Sequence, residues 1–237
     1  MYKKYWLLGI IYLAMGWYLA IPDSRVKVIF CNVGQGDATL ISFAYTQMLI
    51  DTGPKNGNIE KCLDENLPLG DKKIEMILLS HMDSDHSGAL EKLKKSYNID
   101  KIVGLGDLYY GDKIIGKNFD FSVIYPDVGL LDRDNDSIVG VLNYNNKNIL
   151  FTGDIDQLVE KSIIDRVSVP INILKLSHHG SNTANSEEWL KKINADFAIV
   201  SVGKNNYGHP NADVLKRVLG VGTSIVRTDK NGNLAVE

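Results

Sequence analysis

Four side chains that commonly bind divalent cations fall within one short stretch of the 237-residue chain. They are His81, Asp83, Asp85 and His86, in a His-x-Asp-x-Asp-His segment. Imidazole nitrogens and carboxylate oxygens are the usual protein ligands of zinc and manganese. Without a cation, two buried carboxylates would repel each other and one would take up a proton. An ordinary turn would explain one such residue but not the whole segment, which therefore predicts a catalytic metal site.

The other histidines occupy equivalent positions, directly after predicted strands. All five histidines of the chain do so: His81, His86, His178, His179 and His209. Asp154 likewise follows the second arm of a predicted hairpin. Histidines used for solubility or core filling should also fall on helix faces, and none is predicted there. The distribution predicts one shared site beyond the strand ends, where open sheets build their sites.

Asp51 also ends a predicted strand, and its role has two interpretations. On the same rim it would orient a ligand imidazole by a hydrogen bond to the other ring nitrogen. As an isolated feature it would be a turn-forming residue, because Asp side chains readily bond to nearby backbone. The sequence alone leaves both open.

The hydrophobic spacing predicts a two-sheet sandwich with helices outside. Predicted strands cover 26–33, 38–43, 47–50, 74–79, 101–104, 138–144, 148–152, 171–176, 197–202, 223–227 and 234–236. Predicted helices cover 58–66, 89–97, 157–166, 186–193 and 212–219. The first half is expected to be antiparallel and the second to consist of strand–helix units. The glycine-rich segment 106–120 supports no assignment.

Charge and cysteine content narrow the class of protein. The formal net charge is −3, so the chain does not coat nucleic acid electrostatically, and any DNA contact would need a local site. Cys31 and Cys62 are too few for a disulfide framework and lack a Cys-x-x-Cys spacing. Cys31 lies in an apolar strand and is expected to be a small core residue.

Residues 1–23 are predicted to lie outside the catalytic domain, which is assigned to residues 24–237. Lys3 and Lys4 precede an uncharged apolar run at 5–21. An uncleaved signal anchor in the cell membrane is expected, with the lysines cytoplasmic and the domain facing outward. A cleaved signal peptide, which would give a secreted protein, is the alternative.

Five motifs, taken together, resemble those of the metallo-β-lactamase fold hydrolases. Within that group they are most similar to the soluble domain of the DNA-uptake competence protein ComEC. The motifs lie at 32–38, 80–88, 151–154, 178–181 and 201–210, in the family's order. The resemblance covers about residues 26–237 and implies an αββα sandwich that holds two divalent metal ions, Mn²⁺ or Zn²⁺.

The resemblance also implies a ligand set. His81 and Asp83 would hold one ion, and Asp85 and His86 the other. Asp154 would lie between the ions, and His179 is the favoured member of its pair to complete the second ion's shell.

Two departures from the superfamily pattern affect this assignment. Asp83 stands where most members have His, and no His occurs from 87 to 177. The first ion would then need water or the region of Asn135, Asp136 and Ser137, or only one ion would bind tightly. A set richer in oxygen favours manganese over zinc.

The expected activity is that of a metal-dependent phosphodiesterase, most simply a nuclease acting on single- or double-stranded DNA. The catalytic residues are predicted to be Asp85, His178, Lys204 and His209. Lys204 would bind a phosphoryl oxygen. The alternative interpretation, that Lys204 is a solvated surface lysine, is equally consistent with the sequence. His209 or His178 would protonate the leaving oxygen, because an imidazole pKa suits that task.

Three rival functions remain open on the sequence alone. The first is a surface phosphodiesterase acting on teichoic acid or phosphocholine, and the second is a lactam or thioester hydrolase. The third is a non-catalytic binding module with a structural metal. A monomer is expected, and a DNA-uptake channel protein is a candidate partner, because one apolar segment cannot form such a channel by itself.

Overall fold

The computed structural model describes residues 5, 6, 8–10, 12, 24–129 and 137–236. Within these residues the chain forms two mixed β-sheets with short helices between the strands. The strands are β1 Lys27–Phe30, β2 Thr39–Phe43, β3 Thr46–Ile50, β4 Lys73–Leu78, β5 Asn98–Val103, β6 Lys113–Ile115, β7 Phe119–Tyr125, β8 Val139–Tyr144, β9 Lys147–Phe151, β10 Ile173–Lys175, β11 Phe197–Val200, β12 Ser224–Arg227 and β13 Leu234–Val236. The α-helices are α1 Ile59–Asn66, α2 Ser84–Ser87, α3 Leu90–Ser96, α4 Gln157–Ile163, α5 Glu187–Ile193, α6 Ala212–Gly220 and α7 Thr228–Asn231. Two 3₁₀ turns lie at Ile164–Arg166 and Ser177–Gly180.

Each sheet is antiparallel on one side and parallel on the other. The first has the order β13-β1-β2-β3-β4-β5 and the second β12-β11-β10-β9-β8-β7-β6. In the first sheet β3, β4 and β5 run parallel, which corrects the expectation of a purely antiparallel first half. In the second sheet β9 to β12 run parallel. Parallel neighbours end at the same sheet edge, so the turns that follow them gather there.

Three apolar layers show how the elements pack. The layer between the sheets includes Phe30 and Leu78 from the first sheet and Phe121 and Phe151 from the second. A second layer packs α1 and α3 on the outer face of the first sheet. A third packs α4, α5 and α6 on the outer face of the second sheet, around the fully buried Trp189. The predicted α/β sandwich of two sheets is therefore confirmed.

The glycine-rich segment without a sequence assignment contains β6 and the start of β7. In β7, Phe119, Phe121 and Val123 alternate inward. This alternation is a strand signal. It was missed because the glycines just before it, Gly106, Gly111 and Gly116, interrupt the periodicity.

Cys31 and Cys62 form a disulfide, with their Cα atoms 5.8 Å apart. Cys31 is buried, as expected of a small core residue, but the disulfide itself was not predicted from the two cysteines. The bond joins the end of β1 to α1. The helix packs against β1 in the outer apolar layer, and that contact brings the two cysteines together.

The predicted signal anchor falls almost entirely outside the described residues, which include only 5, 6, 8–10 and 12 of the first 23. The N-terminal apolar helix is not confirmed. Among the residues that the structure does describe, no helix has the length and apolarity needed to cross a membrane.

Candidate metal centre

The turns after β4, β9 and β10 meet at one edge of the sandwich and bring five of the predicted ligands together. His81 follows β4, and Asp154 follows β9. His86 lies within the one-turn helix α2, which corrects the expectation that every histidine lies in a turn. His179 lies in the 3₁₀ turn after β10, and its Nε2 lies 3.1 Å from Asp85 Oδ2.

Asp154 is at the centre of this group. Its Oδ1 lies 3.3 Å from His86 Nε2. Its Oδ2 lies 3.9 Å from His81 Nε2 and 3.8 Å from His179 Nε2. His178 Nε2 lies 3.7 Å from the same Oδ2, so the carboxylate faces the ring nitrogens of four histidines, two that follow the first sheet's β4 and two that follow the second sheet's β10.

Three groups of ligand atoms are compact enough for an ion, each with its ligand atoms within 4.8 Å of one another. His81, His86 and Asp154 form the first group, and Asp85, His86 and His179 form the second. In the third, Asp37, Asp51 and His86, the carboxylates already bind Lys175 and Ser80. Asp83 lies at the edge of the first group, with Oδ2 3.7 Å from His81 Nε2 and a side chain that is 68% exposed. All three groups share His86.

Unsatisfied buried atoms at this place fit a cation. His81 Nε2, His86 Nε2 and Asp154 Oδ1 are buried and have no hydrogen-bond partner within the described part of the chain. Each such atom costs about 1–3 kcal/mol if nothing binds it. Nitrogen and carboxylate lone pairs that face one another are the donors of a divalent-ion site. The residues present therefore fit the metal ions that the motifs imply.

The charges of the pocket are strongly coupled. Burial alone would raise the pKa of Asp154, but His86 and His179 outweigh burial and hold that pKa well below its usual range. Burial would lower the pKa of His86, but Asp154 and Asp51 raise it well above the usual value. In the absence of an ion, the carboxylates thus stabilise a proton on His86. The carboxylates of the pocket therefore favour a positive charge, either a proton on His86 or a bound cation.

Hydrogen bonds to the second ring nitrogen orient the imidazoles. His86 Nδ1 donates to Asp51 Oδ2 at 2.9 Å, and His179 Nδ1 donates to the Ser201 carbonyl at 2.9 Å. Nε2 of each ring is then left as the lone-pair donor. Of the two interpretations of Asp51, this hydrogen bond favours the one in which Asp51 orients a ligand imidazole.

His81 is held by two hydroxyl groups. Ser80 Oγ donates to Asp51 Oδ2 at 2.7 Å and so can accept from His81 Nδ1, which lies 3.0 Å away. Ser137 Oγ is 3.2 Å from the same nitrogen and accepts the Asp154 amide at 2.9 Å. Ser137 thus supports two ligands. Asn135 and Asp136, the other residues expected there, lie outside the described residues.

Replacing Asp51 by Asn should weaken metal binding by about 10- to 100-fold. The Asp51 φ of 58° lies in the left-handed region, which Asn tolerates, so the backbone should be retained. Asp51 accepts from Ser80 N and from Ser80 Oγ through two different oxygens. The Asn side chain has only one oxygen, so it cannot accept both hydrogen bonds in this way. Competition with a chromophoric chelator measures the effect. The exposed Asp165→Asn serves as control, and equal affinities for the two variants would refute the role.

The glycine turn after β1 touches the metal segment. A Cβ on Gly36 would overlap the Asp85 carbonyl oxygen, and the Asp37 amide donates to that same oxygen at 3.1 Å. Gly34 has a positive φ as well, but a Cβ there meets open space. The turn therefore fixes the backbone position of a ligand through close contact.

Gly36→Ala should displace the 83–86 segment and weaken metal binding by at least about tenfold. Gly34→Ala is the matched control, because it adds the backbone strain of a positive φ without the overlap. Metal titration of both variants by calorimetry checks this. If Gly34→Ala weakens binding as much as Gly36→Ala, strain rather than contact is responsible.

A buried ion pair beneath the imidazoles was missed by the sequence analysis. Lys175 Nζ lies 2.7 Å from Asp37 Oδ2, and both side chains are less than one-tenth exposed. Burial would raise the pKa of Asp37, but Lys175 and His179 hold it below its usual value. The pair joins the turn after β1 to β10, so it ties the two sheets together below the site. A lysine in the otherwise apolar strand β10 was the available signal.

The other predicted catalytic residues, His178, His209 and Lys204, are more exposed to solvent than the buried histidines of the cluster. His178 Nε2 is 3.7 Å from Asp154 Oδ2, and the His178 and His209 ring centroids are 5.6 Å apart. Lys204 is exposed on the loop after β11 and makes no ion pair with the cluster among the described residues. The structure therefore places His178 and His209 beside the centre but does not bring Lys204 into contact with it.

The comparison with known families defines the class. Residues 31–134 match the family model Lactamase_B, described as "Metallo-beta-lactamase superfamily". The chain therefore carries a metallo-β-lactamase superfamily domain, as its motifs predicted. Members of this superfamily are generally metal-dependent hydrolases, which agrees with the ligand cluster.

Curated relatives place the chain more closely. It is 29% identical over 225 residues to "Competence protein ComA" of Neisseria gonorrhoeae, covering 91% of this chain and 33% of that protein. It is 30% identical over 235 residues to "Recombination protein 2" of Haemophilus influenzae, covering 92% and 29%. The predicted resemblance to competence proteins is confirmed. The chain spans about a third of the length of these relatives.

Solved structures support the fold. The metallo-β-lactamase fold protein YhfI from Bacillus subtilis has a TM-score of 0.63 at 10% identity, covering 90% of this chain and all of that one. A diphosphatase from the PhnP family has a TM-score of 0.57 at 14% identity, covering 90% and 98%. At these identities the likeness establishes the fold alone.

Proposed function

We propose that the chain is a metal-dependent phosphodiesterase that cleaves DNA. The observation that supports this most directly is the ligand set around Asp154, in which carboxylates are as prominent as imidazoles. Oxygen-rich sites suit ions that bind phosphoryl groups, manganese as well as zinc. The names of the relatives refer to competence and recombination, and one structural neighbour is a diphosphatase.

Divalent ions at this centre would supply positive charge for a phosphoryl group and activate water for its hydrolysis. His81, Asp83, Asp85, His86, Asp154 and His179 would hold them. Asp51, Ser80, Ser137 and the Ser201 carbonyl keep the histidine rings in the orientation that exposes Nε2. The buried Asp37 and Lys175 pair holds the turn after β1 against β10 beside the site.

The proton for the leaving oxygen would come from His178. Its side chain is 32% exposed, and its Nε2 faces Asp154, whereas the neighbouring His179 is fully enclosed. Burial and the neighbouring His178 lower the pKa of His209. A neutral His209 beside His178 would position that ring rather than compete with it for the substrate. Lys204 would contact a phosphoryl oxygen from its exposed loop.

The cellular setting is part of the proposal. The N-terminal segment would act as a signal anchor, or as a cleaved leader, and would place the domain on the outer face of the membrane. A monomer there would act on single- or double-stranded DNA beside an uptake channel formed by another protein. The support is the apolar run at 5–21 and the competence relatives.

The test uses the full chain with Mn²⁺ or Zn²⁺ and a substrate panel. The panel contains single- and double-stranded DNA, bis(4-nitrophenyl) phosphate, glycerophosphocholine, teichoic acid and a thioester. We expect hydrolysis of DNA and of the nitrophenyl diester, abolished by chelation and restored by adding the ion. Cleavage of the thioester alone, or binding of ions without any turnover, would overturn the proposal. Preference for teichoic acid would keep the reaction type but exclude DNA.

A further inference from the structure

A row of three rings leads from the metal centre to solvent. His178 lies beside Asp154, and its ring meets the His209 ring edge to face at 5.6 Å. The Tyr207 ring then stacks on His209, with centroids 5.9 Å apart and planes 22° apart. Tyr207 is 76% exposed. The outermost ring of the row is thus held on one side by His209 and is largely open to solvent.

The loop that carries this row is held in shape by Asn205. Its Oδ1 accepts the amides of Tyr207 and His209, each at 3.1 Å. Its Nδ2 donates to the carbonyls of Gly203 and His209, at 2.9 and 2.8 Å. All four polar positions of one side chain are therefore used within the loop. Tyr207 is therefore exposed, but the backbone that carries it is held by hydrogen bonds.

The base of the loop is fixed to the rest of the site. A Cβ on Gly203 would overlap Gly34, and the Gly203 amide donates to Gln35 Oε1 at 3.4 Å. The same glycine turn contacts Asp85 through Gly36. The ring row and the metal segment are therefore both positioned against one turn. This fixes the distance between them.

Tyr207 is 76% exposed and therefore contributes little to the packed core. Its burial of apolar area is small, and the loop is already satisfied by Asn205. An exposed aromatic ring beside a site for phosphodiesters is the feature on which unpaired bases stack, and each such contact is worth about 1–3 kcal/mol. Teichoic acid and phosphocholine offer no aromatic ring for this contact, whereas a paired duplex keeps its bases stacked inside.

We infer that Tyr207, supported by His209, is a base-stacking subsite that selects single-stranded DNA at the metal centre. The inference rests on the proposed function and gives it a substrate class. The row of rings connects Tyr207 through His209 to His178 and Asp154, so a strand stacked on Tyr207 would have a phosphate within reach of the metal centre. Lys204, exposed on the same loop, adds a positive charge for the strand's phosphates.

The experiment measures binding, so that it does not depend on turnover. Fluorescein-labelled oligothymidine with nuclease-resistant phosphorothioate links is compared with a matched strand that carries abasic residues, in Mn²⁺ or Zn²⁺, by anisotropy. The full chain should prefer the strand with bases by about 5- to 150-fold. Tyr207→Ala should lose this preference, while Tyr207→Phe and Tyr207→Trp should keep it. Tyr45→Ala, at another exposed tyrosine, is the matched control and should behave as the unchanged protein.

Two results would overturn the inference. One is equal binding of the two strands by the unchanged protein, and the other is an unchanged preference in Tyr207→Ala. Hydrolysis of bis(4-nitrophenyl) phosphate, followed on the same samples, separates the two proposals. Hydrolysis without a preference for the strand with bases would refute the stacking subsite but support the phosphodiesterase activity. A preference for the strand with bases without hydrolysis would support the stacking subsite but refute the phosphodiesterase activity.

Discussion

Asp154→Ala should reduce kcat/KM for bis(4-nitrophenyl) phosphate by at least about 100-fold and should release metal. Asp154 is the one carboxylate that faces the ring nitrogens of His81, His86 and His179. Removing it takes the only carboxylate from the group His81, His86 and Asp154. It also leaves the buried His86 without the stronger of its two anionic partners. Metal content by mass spectrometry and steady-state kinetics measure both effects.

The matched control is Asp165→Ala, since the Asp165 side chain is 96% exposed and remote from the cluster. It should keep full activity and metal content. Circular dichroism of both variants shows whether the fold survives. Activity of a folded Asp154→Ala within tenfold of the unchanged protein would remove the basis for the site.

Loss of the disulfide should lower the free energy of unfolding by about 3–4 kcal/mol. The bond joins cysteines separated by 31 residues. Without it, the unfolded chain has a higher conformational entropy. Urea unfolding of Cys31→Ala/Cys62→Ala against the unchanged protein measures the difference. Both sulfurs are buried, so replacement by alanine adds a smaller packing loss to that figure.

A reducing agent provides the control for this prediction. Dithiothreitol should destabilise the unchanged protein by the chain-entropy part of the effect and should not alter the double alanine variant. Equal stability of the oxidised and reduced protein would show that the bond contributes nothing to the fold.

The clustering of the candidate ligands was predictable from sequence because strand ends can be recognised by local periodicity. His81, Asp85 and His86 follow an apolar run, and His179 and Asp154 follow two others. Parallel pairing then brings such ends to one edge without any further information. The choice between His178 and His179 needed the structure, since only the enclosed His179 contacts Asp85.

Features that join distant elements were not predictable in the same way. The Asp37 and Lys175 pair depends on how the two sheets face each other, which no local pattern reports. The disulfide depends on α1 packing against β1. Strand β7 was missed for a local reason, since glycines precede its alternating residues.

The ligands come from both halves of the sandwich, with His81 and His86 after β4 and Asp154 and His179 after β9 and β10. An ion bound between these residues would link the two sheets, so the thermal stability of the protein would depend on the concentration of free metal ion. At a free-ion concentration 100 times the dissociation constant, mass action would add about 2.7 kcal/mol to stability. The apo form would consequently be the one that proteases remove first when manganese or zinc is scarce.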